Sequence, residues 1–241
     1  MPEVRRLVFA GADGRMGRAL LPLLEADPTI EIVARVEWQD DLRAAVQRTG
    51  AAYVLDFTTP EAVAANARAL LEGGAHGIIG TTGLAAAERP ALDALARARG
   101  RALLVAPNLS ITMVLLQQMA ERLVPWLPRV EVIESHHEGK RDAPSGTSRR
   151  TAERLAAAGA LPGPTTGDAT PRGLDVGGVR VHSLRLPGIH ARQEVRLASE
   201  HEGVTLVHEA FSRACYLGGI RAALAGLPGR VGLLEGLEAV L

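Results

Sequence analysis

The sequence predicts an α/β protein, with a doubly wound parallel sheet in its first domain and a smaller α+β domain carrying a mixed sheet. Three observations lead there. Through the first half, short apolar runs alternate with alanine- and leucine-rich stretches of helical period, the order that builds a parallel sheet with crossover helices. Between the first run and the first helical stretch lies the glycine-spaced turn Gly11-Ala-Asp-Gly-Arg-Met-Gly17. Beyond Leu127 the rhythm changes, and strand-like runs follow one another too closely for helical crossovers.

Taken in order, residues 4–9, 31–36, 53–57, 77–80 and 102–106 are compact apolar runs suited to strands buried on both faces. Residues 15–25, 60–72 and 85–99 between them read as helices, and 111–127 is the next long one. Residues 130–135 then read as a strand and 147–158 as a helix, followed by strands at 179–186, 193–199 and 204–210. Residues 159–178, rich in Pro, Gly and Thr, read as an exposed loop, and 216–227 and 233–240 as helices returning to the first domain. The expected boundaries are 1–109, completed by 213–241, for the first domain and 110–212 for the second.

Composition narrows the partners. With 241 residues, 47% hydrophobic and 22% charged, the chain has the make-up of a globular protein with room for real cores. Its formal net charge is zero and no basic run exceeds Arg149-Arg150, so neither nucleic acid nor an anionic membrane is an expected partner. The uncharged stretch 102–120 is broken by Pro107, Asn108, Gln117 and Gln118, which suits a strand and a helix better than a membrane span. The apolar stretch 7–12 is too short for a signal peptide and runs into glycines, so the expected compartment is the cytoplasm. The single cysteine, Cys215, excludes an internal disulfide and reads as an inert, buried thiol.

Gly11, Gly14 and Gly17 stand at the exit of the first strand and the entry of the first helix, where backbone can approach a pyrophosphate and helix amides can bind it. Twenty residues after Gly17, Glu37 ends the second strand-like run, where a carboxylate would accept hydrogen bonds from an adenosine ribose. The small-residue turns Gly80-Thr81-Thr82-Gly83 and Ala106-Pro107-Asn108 end the fourth and fifth strands. Strand carboxyl ends are where such sheets bind ligands. Together these turns make a Rossmann-like dinucleotide site the expectation.

Twenty-six of the 27 cationic side chains are arginine. The one lysine, Lys140, lies in Glu134-Ser-His-His-Glu-Gly-Lys-Arg-Asp-Ala-Pro-Ser-Gly-Thr147. Whatever pushed the other cations to arginine, base composition or a preference for surface ion pairs, a compact ammonium with rotatable donors persists where a guanidinium cannot replace it. His136 and His137 precede it at a strand end. Adjacent strand residues face opposite ways, the cysteine is remote and no H-E-x-x-H helix exists, so no metal is expected. Ser145 can cap a helix opened by Gly146 and Thr147, whose amides suit a carboxylate. An imidazole, an ammonium and a helix N-terminus suit a small polycarboxylate beside a nicotinamide.

The glycine turn and this second segment, together with Asp56-Phe-Thr, the Gly80-Thr-Thr-Gly turn, Ala106-Pro-Asn, Gln193-Glu-Val, Arg213 and Gly218-Gly219, resemble the 4-hydroxy-tetrahydrodipicolinate reductase (dihydrodipicolinate reductase) family nearly end to end. The resemblance implies a dinucleotide-binding first domain and a second domain for substrate binding and oligomerisation. It also implies reduction of a cyclic dicarboxylate by NADH or NADPH in diaminopimelate and lysine synthesis, by a homotetramer built through the second domain's sheet. By matching position it implies His136 as acid/base with Lys140 beside it, and substrate contacts from His137, Gly146, Thr147 and Thr82. For the cofactor it implies Gly11, Ala12, Asp13, Gly14, Arg15, Met16, Glu37, Gly80, Thr81, Thr82, Ala106, Pro107, Asn108 and Leu109. Where many members carry arginine after the ribose-binding glutamate, this chain has Trp38, leaving no cation there for a 2′-phosphate.

Hydride addition to a conjugated substrate leaves an electron-rich enamine to be protonated, and an imidazolium suits that task near neutrality. Three other readings use the same residues: an aspartate- or homoserine-type dehydrogenase, a Schiff-base enzyme with Lys140 as nucleophile, and a non-catalytic NADH-sensing module.

Overall fold

The computed structural model describes residues 4–163 and 170–241. The chain forms two compact units, one of residues 1–111 and 213–241, the other of residues 112–212.

Among the described residues of the first unit, β1 (Arg5–Ala10), β2 (Ile30–Val36), β3 (Tyr53–Asp56), β4 (His76–Ile79), β5 (Ala102–Val105) and β11 (Gly232–Glu235) form one sheet, in the order β2-β1-β3-β4-β5-β11. All its pairings are parallel, so the strand carboxyl ends share one edge. Alternation along β1 sends Val8 and Ala10 into a core with α2 (Leu42–Thr49), α3 (Val63–Gly73) and α4 (Arg89–Ala98), through Val46, Leu70, Leu71, Leu92 and Ala96. Leu7 and Phe9, equally buried, point to the opposite face, which α1 (Arg15–Glu25) and α7 (Leu217–Gly226) cover with Leu20, Leu24, Ile220 and Leu224. Helices on both faces make the sheet doubly wound, as the alternating pattern predicts.

Three elements depart from the sequence reading. Residues 233–240 do not form a helix: Leu233 and Leu234 pair with Leu103 and Leu104 in β11, and Gly236, at φ +77°, turns the chain into a 3₁₀ turn, Leu237–Val240. A four-residue Leu/Glu stretch fits either period, and the exposed edge of β5 decides it. α2 went unread because it is short and rich in Arg, Gln and Thr. Asp41 caps it, accepting from Ala44 N at 2.9 Å, and Gly50 ends it in the left-handed region. Within 159–178, Leu174–Val176 forms a short strand, and residues 164–169 of that expected loop lie outside the described residues.

In the second unit the described strands are β6 (Arg129–His136), β7 (Leu174–Val176), β8 (Val179–Arg185), β9 (Ala191–Ala198) and β10 (Gly203–Ala210), in the order β10-β9-β6-β8-β7. β6 runs parallel to β8 and antiparallel to β9, so the sheet is mixed. α5 (Ile111–Leu123) and α6 (Gly146–Ala157) pack on one face, burying Met113, Leu116, Ala152 and Leu155 against Val132, Val181 and Val195. Period-two alternation places Glu134 and His136 on the same face of β6 as Val132. Their sheet neighbours are Ser183 and Gln193 for Glu134, and Arg185 and Ala191 for His136.

Candidate functional site

The first unit builds a cradle at the carboxyl edge of its sheet. Gly11 leaves β1 at φ +83°, and a Cβ there would lie 2.8 Å from the carbonyl oxygen of Phe57. At Gly17 a Cβ would come within 2.0 Å of the Ala12 carbonyl oxygen, so the loop can only fold back this tightly on glycine. Gly14 is the N-cap of α1 and has no side chain to compete for the first-turn amides. Those amides carry the positive end of the helix dipole, the property that binds a pyrophosphate. The exposed Asp13 and Arg15 and the partly buried Met16 line the turn, and Ala12 is buried beneath it.

Glu37 follows β2. Its Oε1 accepts the Asp13 backbone N–H at 2.8 Å, so the glycine turn itself orients the carboxylate. Trp38 is 94% exposed. Arg35, a candidate cation for this corner, is engaged in an ion pair with Glu25.

The turn after β4 is organised by Asp56, fully buried at the end of β3. Its Oδ1 accepts from the Thr58 N–H at 2.8 Å and the Thr58 hydroxyl at 2.7 Å, and Oδ2 accepts from Asn66 at 2.9 Å. Thr81 reaches the same carboxylate at 3.3 Å, tying the turns after β3 and β4 together. Gly80 lies against the Phe57 ring, where a Cβ would stand 2.2 Å from a ring carbon, and Thr82 is exposed beside it. After β5, Ala106 and Leu109 are buried, Pro107 is exposed, and Asn108 accepts the Ser110 N–H at 2.9 Å. The predicted cofactor residues therefore gather on turns at one edge of one sheet, and the residues present fit a dinucleotide.

The second unit gathers the predicted acid, lysine and helix terminus around the end of β6. Nδ1 of His136 is hydrogen-bonded to Oε2 of Glu134. Glu134 is fully buried, and Arg185 of β8 donates to both of its oxygens, at 2.9 and 3.1 Å. The Ser145 N–H adds a contact to Oε1 at 3.3 Å. Burial alone would raise the Glu134 carboxyl, but hydrogen bonds from His136, Arg185 and Ser183 outweigh it and lower the pKa to about 2. The carboxylate is thus ionised at neutral pH.

Arg185 also reaches the backbone carbonyls of Lys140, at 3.3 Å, and Asp142, at 2.6 Å. It pins the loop between β6 and α6 to the sheet. Within that loop Lys140 Nζ donates to both oxygens of Asp142, at 2.8 and 2.9 Å. Burial works against the Asp142 carboxylate, yet donation from Lys140 and from the backbone, Gly146 included, leaves its pKa lowered. The His137 ring lies beside Gly139, and the Lys140 N–H donates to the His137 carbonyl at 3.1 Å.

Ser145 caps α6 as its residue type predicts, accepting from Ser148 N at 3.2 Å. The buried Ser148 hydroxyl in turn donates to Gln193 of β9 at 2.7 Å, and Gln193 and Gln117 both donate to Thr151, at 3.0 and 2.7 Å. This buried polar chain fixes the N-terminus of α6, where Gly146 and Thr147 lie, against the sheet.

Four side chains that shape these sites, Glu134, Arg185, Asp142 and Asp56, were not singled out as site residues from sequence. Glu134 had a signal: two residues before His136 on a strand, it must share its face. Arg185 had none, because its partnership depends on the pairing of β6 with β8.

Residues 5–109 match the family model described as dihydrodipicolinate reductase, N-terminus, and residues 109–241 the model described as dihydrodipicolinate reductase, C-terminus. The chain is 39% identical over 247 residues to the 4-hydroxy-tetrahydrodipicolinate reductase of Beutenbergia cavernae, covering 98% of each chain. It is 36% identical over 252 residues to that of Streptococcus pneumoniae serotype 19F, covering 98% of this chain and 99% of the relative. The solved structure of dipicolinate-bound dihydrodipicolinate reductase from Paenisporosarcina sp. TG-14 is 27% identical, with a TM-score of 0.88 over 99% of this chain and all of that one. By its glycine cradle, its His-Lys segment and these matches over both halves, the chain belongs to the dihydrodipicolinate reductase family.

Proposed function

We propose that the protein reduces 4-hydroxy-tetrahydrodipicolinate to tetrahydrodipicolinate with NADH or NADPH. The observation that carries this reading is the convergence of His136, Lys140 and the capped N-terminus of α6 around the end of one strand. That set offers an acid, an ammonium and helix amides to a small dicarboxylate. The dipicolinate named with the Paenisporosarcina structure is such a molecule.

The bound nicotinamide supplies the hydride. Gly11, Ala12, Asp13, Gly14, Arg15 and Met16 would hold its pyrophosphate, Glu37 a ribose, and the turns at Gly80, Thr81, Thr82 and Ala106 to Leu109 the rest of the dinucleotide. His136 gives the proton that the reduced substrate needs. Lys140 and His137 hold carboxylates, with the Gly146 and Thr147 amides. A carboxylate arriving at Lys140 competes with Asp142 for the ammonium, and the loop is held by Arg185 meanwhile.

The assembly we propose is a homotetramer formed through the mixed sheet. β10 is an edge strand, and Leu184, Leu186, Val204 and Val207 are exposed on β8, β10 and their borders, at 40%, 46%, 37% and 48%. Val179 and Val181 are buried within their own unit and ask for no partner.

A substrate panel tests the reaction. Turnover with 4-hydroxy-tetrahydrodipicolinate and none with aspartate semialdehyde or homoserine supports it. The reverse pattern assigns the chain an aspartate- or homoserine-type activity, and NADH binding with no turnover leaves a sensing module. The Schiff-base reading requires a free nucleophilic amine, whereas Lys140 Nζ is engaged with both oxygens of Asp142. Borohydride trapping of a substrate adduct would reinstate it.

A further inference from the structure

We propose that Glu134 is a positioning residue for the acid: it accepts the Nδ1 hydrogen of His136, leaving Nε2 as the atom that exchanges the proton. The inference rests on the reductase reading for the identity of the acid, but its geometry does not. Glu134 has no exposed surface, and hydrogen-bond donors surround it: His136, both terminal nitrogens of Arg185, Ser145 N and Ser183. A carboxylate so buried is costly unless paired, and these donors pair it.

The two nitrogens of an imidazole are distinct, and the bond made by one fixes the tautomer seen at the other. A carboxylate only accepts, so neutral His136 carries its hydrogen on Nδ1 and presents a basic Nε2. When the ring is protonated the same carboxylate stabilises the cation, and Nε2–H is the proton to be given away. Arg185 completes the arrangement. One guanidinium holds the carboxylate and, through the Lys140 and Asp142 carbonyls, the loop carrying the ammonium. The acid and the carboxylate-binding lysine are thereby set in one register.

The charged groups about the pair are Arg185 from β8 and Lys140 and Asp142 from the connection to α6, with His137 next in the chain. β9 places the uncharged Ala191 opposite His136. Glu134 is the carboxylate bonded to the His136 ring, so its replacement has a defined consequence.

The test is Glu134→Gln, with NADH and 4-hydroxy-tetrahydrodipicolinate. The expected result is a kcat lowered at least roughly 10- to 100-fold, the scale on which outer partners that orient an imidazole act at metal sites. KM for the dicarboxylate and Kd for NADH should stay within about threefold, and the basic limb of the kcat profile should move to lower pH as the cation loses its partner. Glu134→Asp keeps the charge and should recover part of kcat, which covers the case of a Gln variant that fails to fold. An independent readout needs no substrate: nitrogen NMR of histidine-labelled wild type, assigned with His136→Gln, should show the Nδ1–H tautomer at high pH. An Nε2–H tautomer in wild type, or a Glu134→Gln enzyme with unchanged kcat and pH profile, would overturn the proposal. A wild type that holds the Nδ1–H tautomer yet turns nothing over would instead remove the reductase reading and leave the dyad standing.

Discussion

Lys140 chelates its own neighbour: from Nζ it donates to both oxygens of Asp142, at 2.8 and 2.9 Å. The pair lies in a loop whose backbone is held by Arg185, so the ammonium is placed without being consumed by a buried partner. In the proposed reaction a dicarboxylate replaces Asp142 on it. A guanidinium could make the ion pair too, but its broad planar fork cannot turn its donors as an ammonium does.

Lys140→Arg is therefore expected to separate the two roles. Thermal stability should barely move, because arginine can still pair with Asp142 on a partly exposed loop. Catalytic efficiency should fall roughly 10- to 150-fold, the worth of a charge-assisted hydrogen bond of about 1.5–3 kcal/mol. Steady-state kinetics at fixed NADH check it. Wild-type kinetics would make the chain's one lysine an ordinary surface cation.

Cofactor preference follows from the corner after β2. Glu37 is oriented by Asp13 N–H, Trp38 brings no charge, and Arg35 is committed to Glu25. NADH should be used at least as well as NADPH. Trp38→Arg should raise the efficiency with NADPH relative to NADH by about tenfold, from one added charge-assisted contact. A strong wild-type preference for NADPH contradicts this account of the corner.

Acid stability should report on Glu134. Its folded pKa of about 2 lies below the ordinary 4.5, so the folded state binds the proton less tightly than the unfolded chain does. The resulting stabilisation is full above the ordinary value and is lost as pH falls from about 4.5 toward about 2. Melting temperatures across that window should fall less steeply for Glu134→Gln than for wild type. Parallel curves would show that the carboxylate is not held as described.

Light scattering at micromolar concentration should give a tetramer. Charged substitutions at Val204 and Val207, on the edge strand β10, should shift it toward smaller species, whereas fully active monomer would count against assembly through this sheet.

The sequence exposed those parts whose cause is local. α1 is legible over Arg15–Glu25 because glycines open it and Leu20, Leu21 and Leu24 keep helical period. The Ser145 cap is legible from residue type alone. β11 was misread because Leu233 and Leu234 satisfy either period until β5 offers them an edge. The His136–Glu134 pair was half-visible, two residues apart on one strand. Arg185, 51 residues from Glu134, is brought there by strand register, which no local pattern encodes.

We propose that this chain transfers a hydride to a cyclic dicarboxylate with His136 as the acid. Single-turnover oxidation of NADH by 4-hydroxy-tetrahydrodipicolinate, run side by side for wild type and His136→Ala, tests it most directly. Wild type should convert its bound NADH stoichiometrically. His136→Ala should bind NADH equally well, because the histidine lies outside the glycine turn and the other cofactor-holding turns, and turn over roughly 10²- to 10⁴-fold more slowly. His137→Ala, in the same experiment, should mainly raise the substrate concentration required. Equal rates in wild type and His136→Ala, or the loss of rate appearing at His137 instead, would contradict the assignment of the acid.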